Sequence, residues 1–337
     1  INIKFSLFQE EDVSMATIKD VAAVAGVTVT TVSRVLNNRG YISDKTRKKV
    51  YNAMAELDYQ PNEVARSLIR KKSNLIGLIV PDVAHPFFSE LTSHIEYFAY
   101  KAGYKILLCD SYQESDKEKD YITMLRSNQV DGIIMASHTL EVDEYLNLNL
   151  PVVAVDRTFS ETIPYITSDN YAGGVQATNL LIDKGCKKIA HISGPLMLNT
   201  PANNRYKAFT DVAEQKRIES VFIETELGLH QDYEKIIHNL FEDHPDVDGI
   251  FASSDMIAIA AVKVASEIGK RIPGDLKIVG FDDISFASMI VPPLTTIKQS
   301  TEMMGKMTIQ LLVDQIDGRE VEFENVLPIE LKERKTT

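Results

Sequence analysis

Tryptophan is absent from this chain of 337 residues, and cysteine occurs twice, at Cys109 and Cys186. Two thiols cannot build a disulfide framework or a cysteine-rich zinc site. Their scarcity suits a reducing compartment, so a cytoplasmic location is expected. Long apolar runs are also missing. The longest, from Leu75 to Pro81, falls well short of the roughly 20 residues that span a bilayer, and no membrane association is expected. With 16 glycines and 12 prolines, collagen-like and low-complexity readings are excluded. The sequence contains no Gly-x-Ser-x-Gly elbow, phosphate-binding glycine loop, dinucleotide-binding glycine pattern or His-Glu-x-x-His helix. The seven histidines show no metal-ligand spacing. An enzyme, a metal and a cofactor are therefore all unexpected.

What is present is a normal globular composition, 44% hydrophobic and 25% charged. At roughly 150 residues per domain the length suggests two domains and a smaller module. The net charge of −12 is unevenly spread. Between Met15 and Asn74 eleven lysines and arginines face five acids, a net +6, which leaves −18 for the rest. A basic head on an acidic body is the electrostatic footprint of a module that meets phosphate. Residues 1–14 hold one lysine and three acids and no long apolar stretch. They are not a secretory signal and read as a leader or added segment ahead of Met15.

The head reads as three short helices. Thr17 is a good N-cap with Asp20 three residues on, and Ile18, Val21, Ala22 and Ala25 recur at helical spacing. Gly26 permits a tight turn. Thr28 caps a second helix with Val32 and Val35 or Leu36 facing inward. Ser43 caps a third, with Val50, Met54 and Leu57 inside. Helix, glycine turn and a second helix rich in small polar residues read as a helix-turn-helix. The second helix offers Val29, Thr30, Thr31, Ser33 and Arg34. An arginine can bond guanine bidentately, and a threonine methyl can touch thymine. Thr17, Thr28 and Asn37 are better placed for phosphates, which fix register without reading sequence. A small packing bundle that touches no DNA is the plain alternative.

The run Thr17-Ile-Lys-Asp-Val-Ala-x-x-Ala-Gly-Val-Thr-Val-Thr-Thr-Val-Ser-Arg-Val-Leu-Asn37 resembles the DNA-binding head of the LacI/GalR family of bacterial transcription regulators. The following Tyr59-Gln-Pro-Asn-Glu-Val-Ala-Arg-Ser-Leu68 resembles that family's hinge, at the family's spacing. A hinge of about two helical turns is too short to be stable alone in water. The resemblance implies that Asn62, Arg66 and Leu68 contact DNA, with Leu68 as an apolar wedge in the minor groove. Arg70, Lys71 and Lys72 would tether the module near phosphate.

Beyond residue 74 apolar stretches of strand length alternate with helical ones. Strands are expected at 75–80, 105–109, 132–136, 152–155, 188–193, 249–252 and 277–281. Helices are expected at segments such as 88–102 and 171–184. Continuous apolar strands between helices indicate parallel sheets buried on both faces. The expected architecture is an all-α helix-turn-helix head (15–60), a hinge and linker (61–74) and an α/β body of two similar lobes (75–337). Ligands of open parallel sheets bind at the carboxyl ends of the strands. Those ends carry Asp82, His85 to Phe88, Asp110, Ser111, Ser137, Asp156, Arg157, Gly194, Ser254, Asp255, Asp282 and Asp283, a set suited to sugar hydroxyls and an aromatic wall. His85 reads as a loop residue.

The body resembles the effector domain of the LacI/GalR family, itself similar to periplasmic sugar-binding proteins. By that resemblance Arg205, in Asn204-Arg-Tyr-Lys-Ala-Phe209, is the effector-binding arginine. Asp282, in Val279-Gly-Phe-Asp-Asp283, is the hydroxyl-binding aspartate. Ser254 stands where many members have asparagine. Phe87 and Phe88 are the expected aromatic wall. Asp156, Arg157, Asp169 and Asn170 are the further polar contacts, in pairs like those of sucrose- and ribose-responsive members. The implied function is a homodimeric repressor of a carbohydrate operon that binds double-stranded operator DNA under control of a small sugar, with sucrose preferred to ribose. A catabolite-control regulator that docks a phosphocarrier protein is the runner-up. An exported sugar-binding transport protein and a sugar hydrolase are the readings from other classes. The chain shows no leucine-heptad tail, which favours a dimer over a tetramer.

Overall fold

The computed structural model describes residues 16–61, 72–137, 149–159, 162–198, 200–226 and 232–337. The segment 1–14 and the expected hinge contacts Asn62, Arg66 and Leu68 lie outside the described residues. Contacts divide the chain between Ser73 and Asn74 into two compact units.

In the first unit, helix α1 spans Ile18–Ala25, α2 Val29–Leu36 and α3 Asp44–Glu56. At the start of α1 the Thr17 hydroxyl and backbone N–H both donate to Asp20 Oδ2, at 2.7 and 2.8 Å. Thr28 Oγ1 accepts from Thr31 N, and Ser43 Oγ from Thr46 N. Each cap satisfies an N–H that the helix itself leaves unpaired. Gly26 closes α1 at φ 64°, where a side chain would be strained. Val21, Ala22, Ala25, Val32, Val35, Val50 and Ala53 form the buried core. Ile18, Leu36, Met54 and Leu57 cover it, partly exposed.

The second unit holds two six-stranded sheets. The first contains β1 Leu75–Val80, β2 Lys105–Asp110, β3 Gly132–Met135, β4 Val152–Val155, β5 Tyr165–Ser168 and β11 Glu324–Leu327, in the order β2-β1-β3-β4-β5-β11, all parallel. The second contains β6 Lys188–Ser193, β7 Glu219–Glu224, β8 Gly249–Ala252, β9 Lys277–Asp282, β10 Thr295–Lys298 and β12 Glu330–Lys332, in the order β7-β6-β8-β9-β10-β12. Only the β10–β12 pair of this sheet is antiparallel. The helices are α4 Pro86–Lys101, α5 Ser115–Ser127, α6 Asn170–Asp183, α7 Asn203–Lys216, α8 Tyr233–Asp243, α9 Asp255–Glu267 and α10 Thr301–Ile316.

Strands β3, β4 and β8 are buried along their whole length, as expected of parallel strands covered on both faces. The chain passes between the lobes three times. It crosses from β5 to α6, returns from β10 to α10, which packs on α4 and the first sheet, and crosses again from β11 to β12. Each lobe is therefore assembled from separate stretches of sequence. The first two crossings bring residues 168–170 and 299–301 to the carboxyl ends of both sheets.

Candidate functional site

Between the lobes, at the carboxyl ends of the strands, lies a cavity of about 200 Å³. Of the residues singled out in the sequence, Phe87, Phe88, Asp156, Arg205, Ser254 and Asp282 line it. Pro86 opens α4, where its missing N–H costs nothing. The next two residues are the rings, Phe87 buried and set edge-on to Phe88 at 5.2 Å. Asp156 ends β4 in a left-handed conformation, φ 54°. Its Oδ1 accepts the Thr167 hydroxyl at 2.6 Å. Ser254 caps α9, its Oγ accepting from Ile257 N.

Arg205 is the centre of the site. Its side chain is buried, with the guanidinium stacked 3.6 Å over the Phe281 ring. Nε donates to Asn170 Oδ1 at 2.7 Å and Nη1 to the Ser253 carbonyl at 2.6 Å. Nη2 has no hydrogen-bond partner among the described residues. Asp282, at φ 120°, accepts from Gln299 Nε2 at 2.7 Å. Behind it Asp255 accepts from the Thr296 hydroxyl and from Ile284 N.

Three buried carboxylates thus share one buried guanidinium. Burial pushes Asp282 up to about 7 against the pull of Arg205 and Gln299. Burial and the neighbouring Asp282 also hold Asp255 well above the ordinary carboxylate range. Desolvation lowers the Arg205 pKa, while Asp282, Asp156 and Asp255 oppose that shift. Such an arrangement is unfavourable without a partner and is typical of a site built for one.

Three expected contacts fall elsewhere. Arg157 does not line the cavity; its Nη1 donates to the Ser137 carbonyl at 2.7 Å and the group lies over the Phe159 ring. Asp169 caps α6, accepting from Ala172 N at 2.9 Å. Asn170 is buried behind Arg205, donating to Thr167 Oγ1 and the Ser168 carbonyl. Conversely, His85, which stood in the strand-end set but was read as a loop residue, lines the cavity, as do Asn203, Thr225, Tyr233 and Gln299, which the sequence reading did not assign there. His85 Nδ1 and Gln299 Oε1 are buried without a partner, and burial lowers the His85 pKa. Gln299 follows β10, whose polar Thr-Thr-Ile-Lys run hides the strand end that would have pointed to it.

In the first unit, Val29, Thr30, Ser33, Arg34 and Asn37 line one surface groove with Arg39 and Gly40. Thr17, Thr28 and Thr31 are engaged in caps instead. Asn37 Nδ2 also donates to the Ser33 carbonyl at 2.9 Å.

Residues 17–62 match the family of bacterial regulatory proteins named for LacI, and residues 178–337 match the periplasmic binding protein-like domain. The ribose operon repressor of Halalkalibacterium halodurans is 44% identical over 324 residues, covering 96% of this chain and 97% of that protein. This chain belongs to the LacI family. The sucrose operon repressor of Streptococcus mutans, another member, is 41% identical over 94% of this chain and 98% of its own. The structure of the lac repressor dimer bound to operator and the anti-inducer ONPF superposes with a TM-score of 0.86 at 28% identity, over 96% and 99% of the two chains. A LacI-family regulator is a transcription factor, not an enzyme. The helix-turn-helix head and the two-lobed body are therefore the family's two working parts. Among the described residues no helix is long and apolar enough to cross a membrane.

Proposed function

We propose that this chain represses a carbohydrate operon, gripping its operator as a homodimer in the cytoplasm and responding to a small neutral sugar held between the lobes. One observation carries the effector half. Arg205 spends Nε and Nη1 on the protein but makes no hydrogen bond through Nη2 among the described residues, and Gln299 Oε1 and His85 Nδ1 stand unpartnered in the lining of the same cavity. Unpaired buried polar groups are costly, and a ligand rich in hydroxyls satisfies donors and acceptors together. Phe87 and Phe88 offer C–H surface. The described lining contains no lysine and no second arginine, while Asp156 and Asp282 are present; this balance repels a phosphate. The relatives' names, ribose and sucrose operon repressors, agree with a neutral sugar. The match of residues 17–62 to the LacI family of bacterial regulatory proteins supports operator DNA as the partner of the head.

In this reading Val29, Thr30, Ser33 and Arg34 face base edges, with Thr17, Thr28, Thr31 and Asn37 along the backbone. Sugar closes the lobes and so changes how two first lobes meet across the dimer. The spacing of the hinges shifts, which gives one ligand different affinities for two states. Exposed Phe286, Met289 and Val291 supply apolar surface for the second copy.

The test selects genomic fragments with the purified chain, then measures affinity for the selected DNA with ribose and with sucrose. A near-palindromic site and a shift of at least about tenfold, 1.4 kcal/mol, with one sugar are expected. Absence of any fragment preference sinks the reading.

A further inference from the structure

The effector cleft is not the only polar cavity in the body. A second, of about 400 Å³, is lined by Tyr165 and Ser168 of β5, by Asp169 to Tyr171 at the head of α6, by Thr200 and Pro201 before α7, by Asn203 and Asn204 in its first turn and by Glu324 and Val326 of β11. Thr200 and Asn203 line both cavities. Asn170, whose Oδ1 holds Arg205 Nε, lines the second.

Its chemistry is distinctive. Glu324 Oε1 accepts the Tyr165 hydroxyl at 2.6 Å, and Asp169 Oδ1 accepts from Ala172 N; the second oxygen of each carboxylate stays available. Ser168 is 1% exposed, and its buried hydroxyl has no hydrogen-bond partner among the described residues. That hydroxyl is a buried donor and acceptor in the cavity wall. Pro201, Val326 and the Tyr171 ring supply apolar surface. The described lining includes no lysine, arginine or histidine, so an anion has no counter-charge and faces two acids.

We propose that this second cavity binds a neutral polyhydroxylated molecule, and that its occupant acts on the effector cleft through Asn170 and the shared Thr200 and Asn203. Ser168 and the free carboxylate oxygens take up hydroxyls, and the apolar wall takes the C–H face. An occupant that fixes Asn170 also fixes the guanidinium that Asn170 positions, so the two sites favour each other's filling. By linkage each ligand then raises the other's affinity by the same factor. The coupling half rests on Arg205 being an effector contact; the binding half does not.

Calorimetry on the full chain separates the two, with ribose and sucrose as the probes. Arg205→Leu disables the effector cleft. Sugar binding that persists in that variant, and that Val326→Trp then removes by filling the second cavity, is the expected result. Glu324→Gln, at an exposed strand position, is expected to weaken the residual binding about tenfold, as loss of one charge-assisted acceptor does. Thermal unfolding of each variant checks that it is folded. An Arg205→Leu chain that is folded and binds neither sugar overturns the proposal while leaving the effector reading intact. Residual binding of magnesium but of neither sugar overturns it in favour of a cation. Conversely, an operator response to sugar that survives Arg205→Leu overturns the effector reading and, with it, the coupling.

Discussion

Arg205 and Asp282 carry opposite burdens. The arginine is held rigidly by Asn170, Ser253 and the Phe281 ring, so its free Nη2 is pre-aimed. Lysine has no planar group to stack and no Nε–H to give Asn170. Arg205→Lys is therefore expected to lose about 2 kcal/mol or more of sugar affinity, read by calorimetry, with the fold retained. Asp282 titrates near neutrality because burial outweighs Arg205 and Gln299. A sugar hydroxyl donating to it favours the ionised form and lowers its pKa, so binding expels a proton. Affinity is expected to rise between pH 6 and 8, with proton release visible as a buffer-dependent binding heat. Asp282→Asn flattens that profile. For stability the sign is reversed. With the folded pKa above the unfolded one, the free protein gains from protonation of this group at low pH and loses that gain as pH rises through 7. A pH-independent affinity in the unsubstituted chain would contradict this account of Asp282. At this scale the sequence was legible where a residue closes an apolar strand, as Asp156 and Asp282 do. His85 and Gln299 were not legible, because their importance lies in what their neighbours fail to offer them.

Among the elements, apolar content decided what could be read. Strands β1, β4, β6 and β8 have the bounds that their apolar runs suggest, and α4 and α6 begin one or two residues before the expected starts. Strands β5, β7, β10, β11 and β12 had no such signal. All but β7 are short, and β7, β11 and β12 are sheet edges with mixed polar faces. Thr295 and Thr296 in β10 are fully buried, but the Thr296 hydroxyl is spent on Asp255, a tertiary partner that periodicity does not reveal. Helix pairing carries a constraint that composition hides. A Cβ at Gly174 of α6 would meet Ala208 Cβ at 2.7 Å and the Arg205 carbonyl at 2.8 Å. Gly174→Val must push α7 away and take Arg205 with it. Overpacking of this kind costs about 1–3 kcal/mol, and thermal unfolding together with a loss of sugar affinity larger than the loss of stability checks it. In α2, Arg34→Ala is expected to cost about 1–3 kcal/mol of operator affinity and to relax preference at one base pair. A uniform loss across all sequences would make Arg34 a phosphate contact instead.

For the whole molecule, the division of charge decides how conditions act. The head's affinity for DNA must fall with salt as counterions are released; lac repressor, a relative, is the standard illustration of that slope. The acidic remainder keeps the chain from coating nucleic acid at large. Assembly enters through apolar surface. Met289 is 71% and Val291 89% exposed, beside a half-exposed Phe286. Met289→Lys is expected to shift the chain from dimer to monomer in sedimentation and to weaken operator binding, since one head reads one half-site. A dimer that persists places the interface elsewhere. The fold class, a helix-turn-helix head with a two-lobed α/β body, was legible from the head's capped helices and the two apolar series.

The threefold passage between lobes has a consequence for synthesis. The first sheet closes only when Glu324–Leu327 joins it, and the second only when Glu330–Lys332 does. A nascent chain emerging from the ribosome therefore finishes neither lobe until Glu324–Lys332 has been made, whereas the described helices of the head are complete by Glu56. The DNA-reading part is born early and the sensing part late. A translation pause or premature stop beyond the hinge would then release heads without the part that answers to sugar.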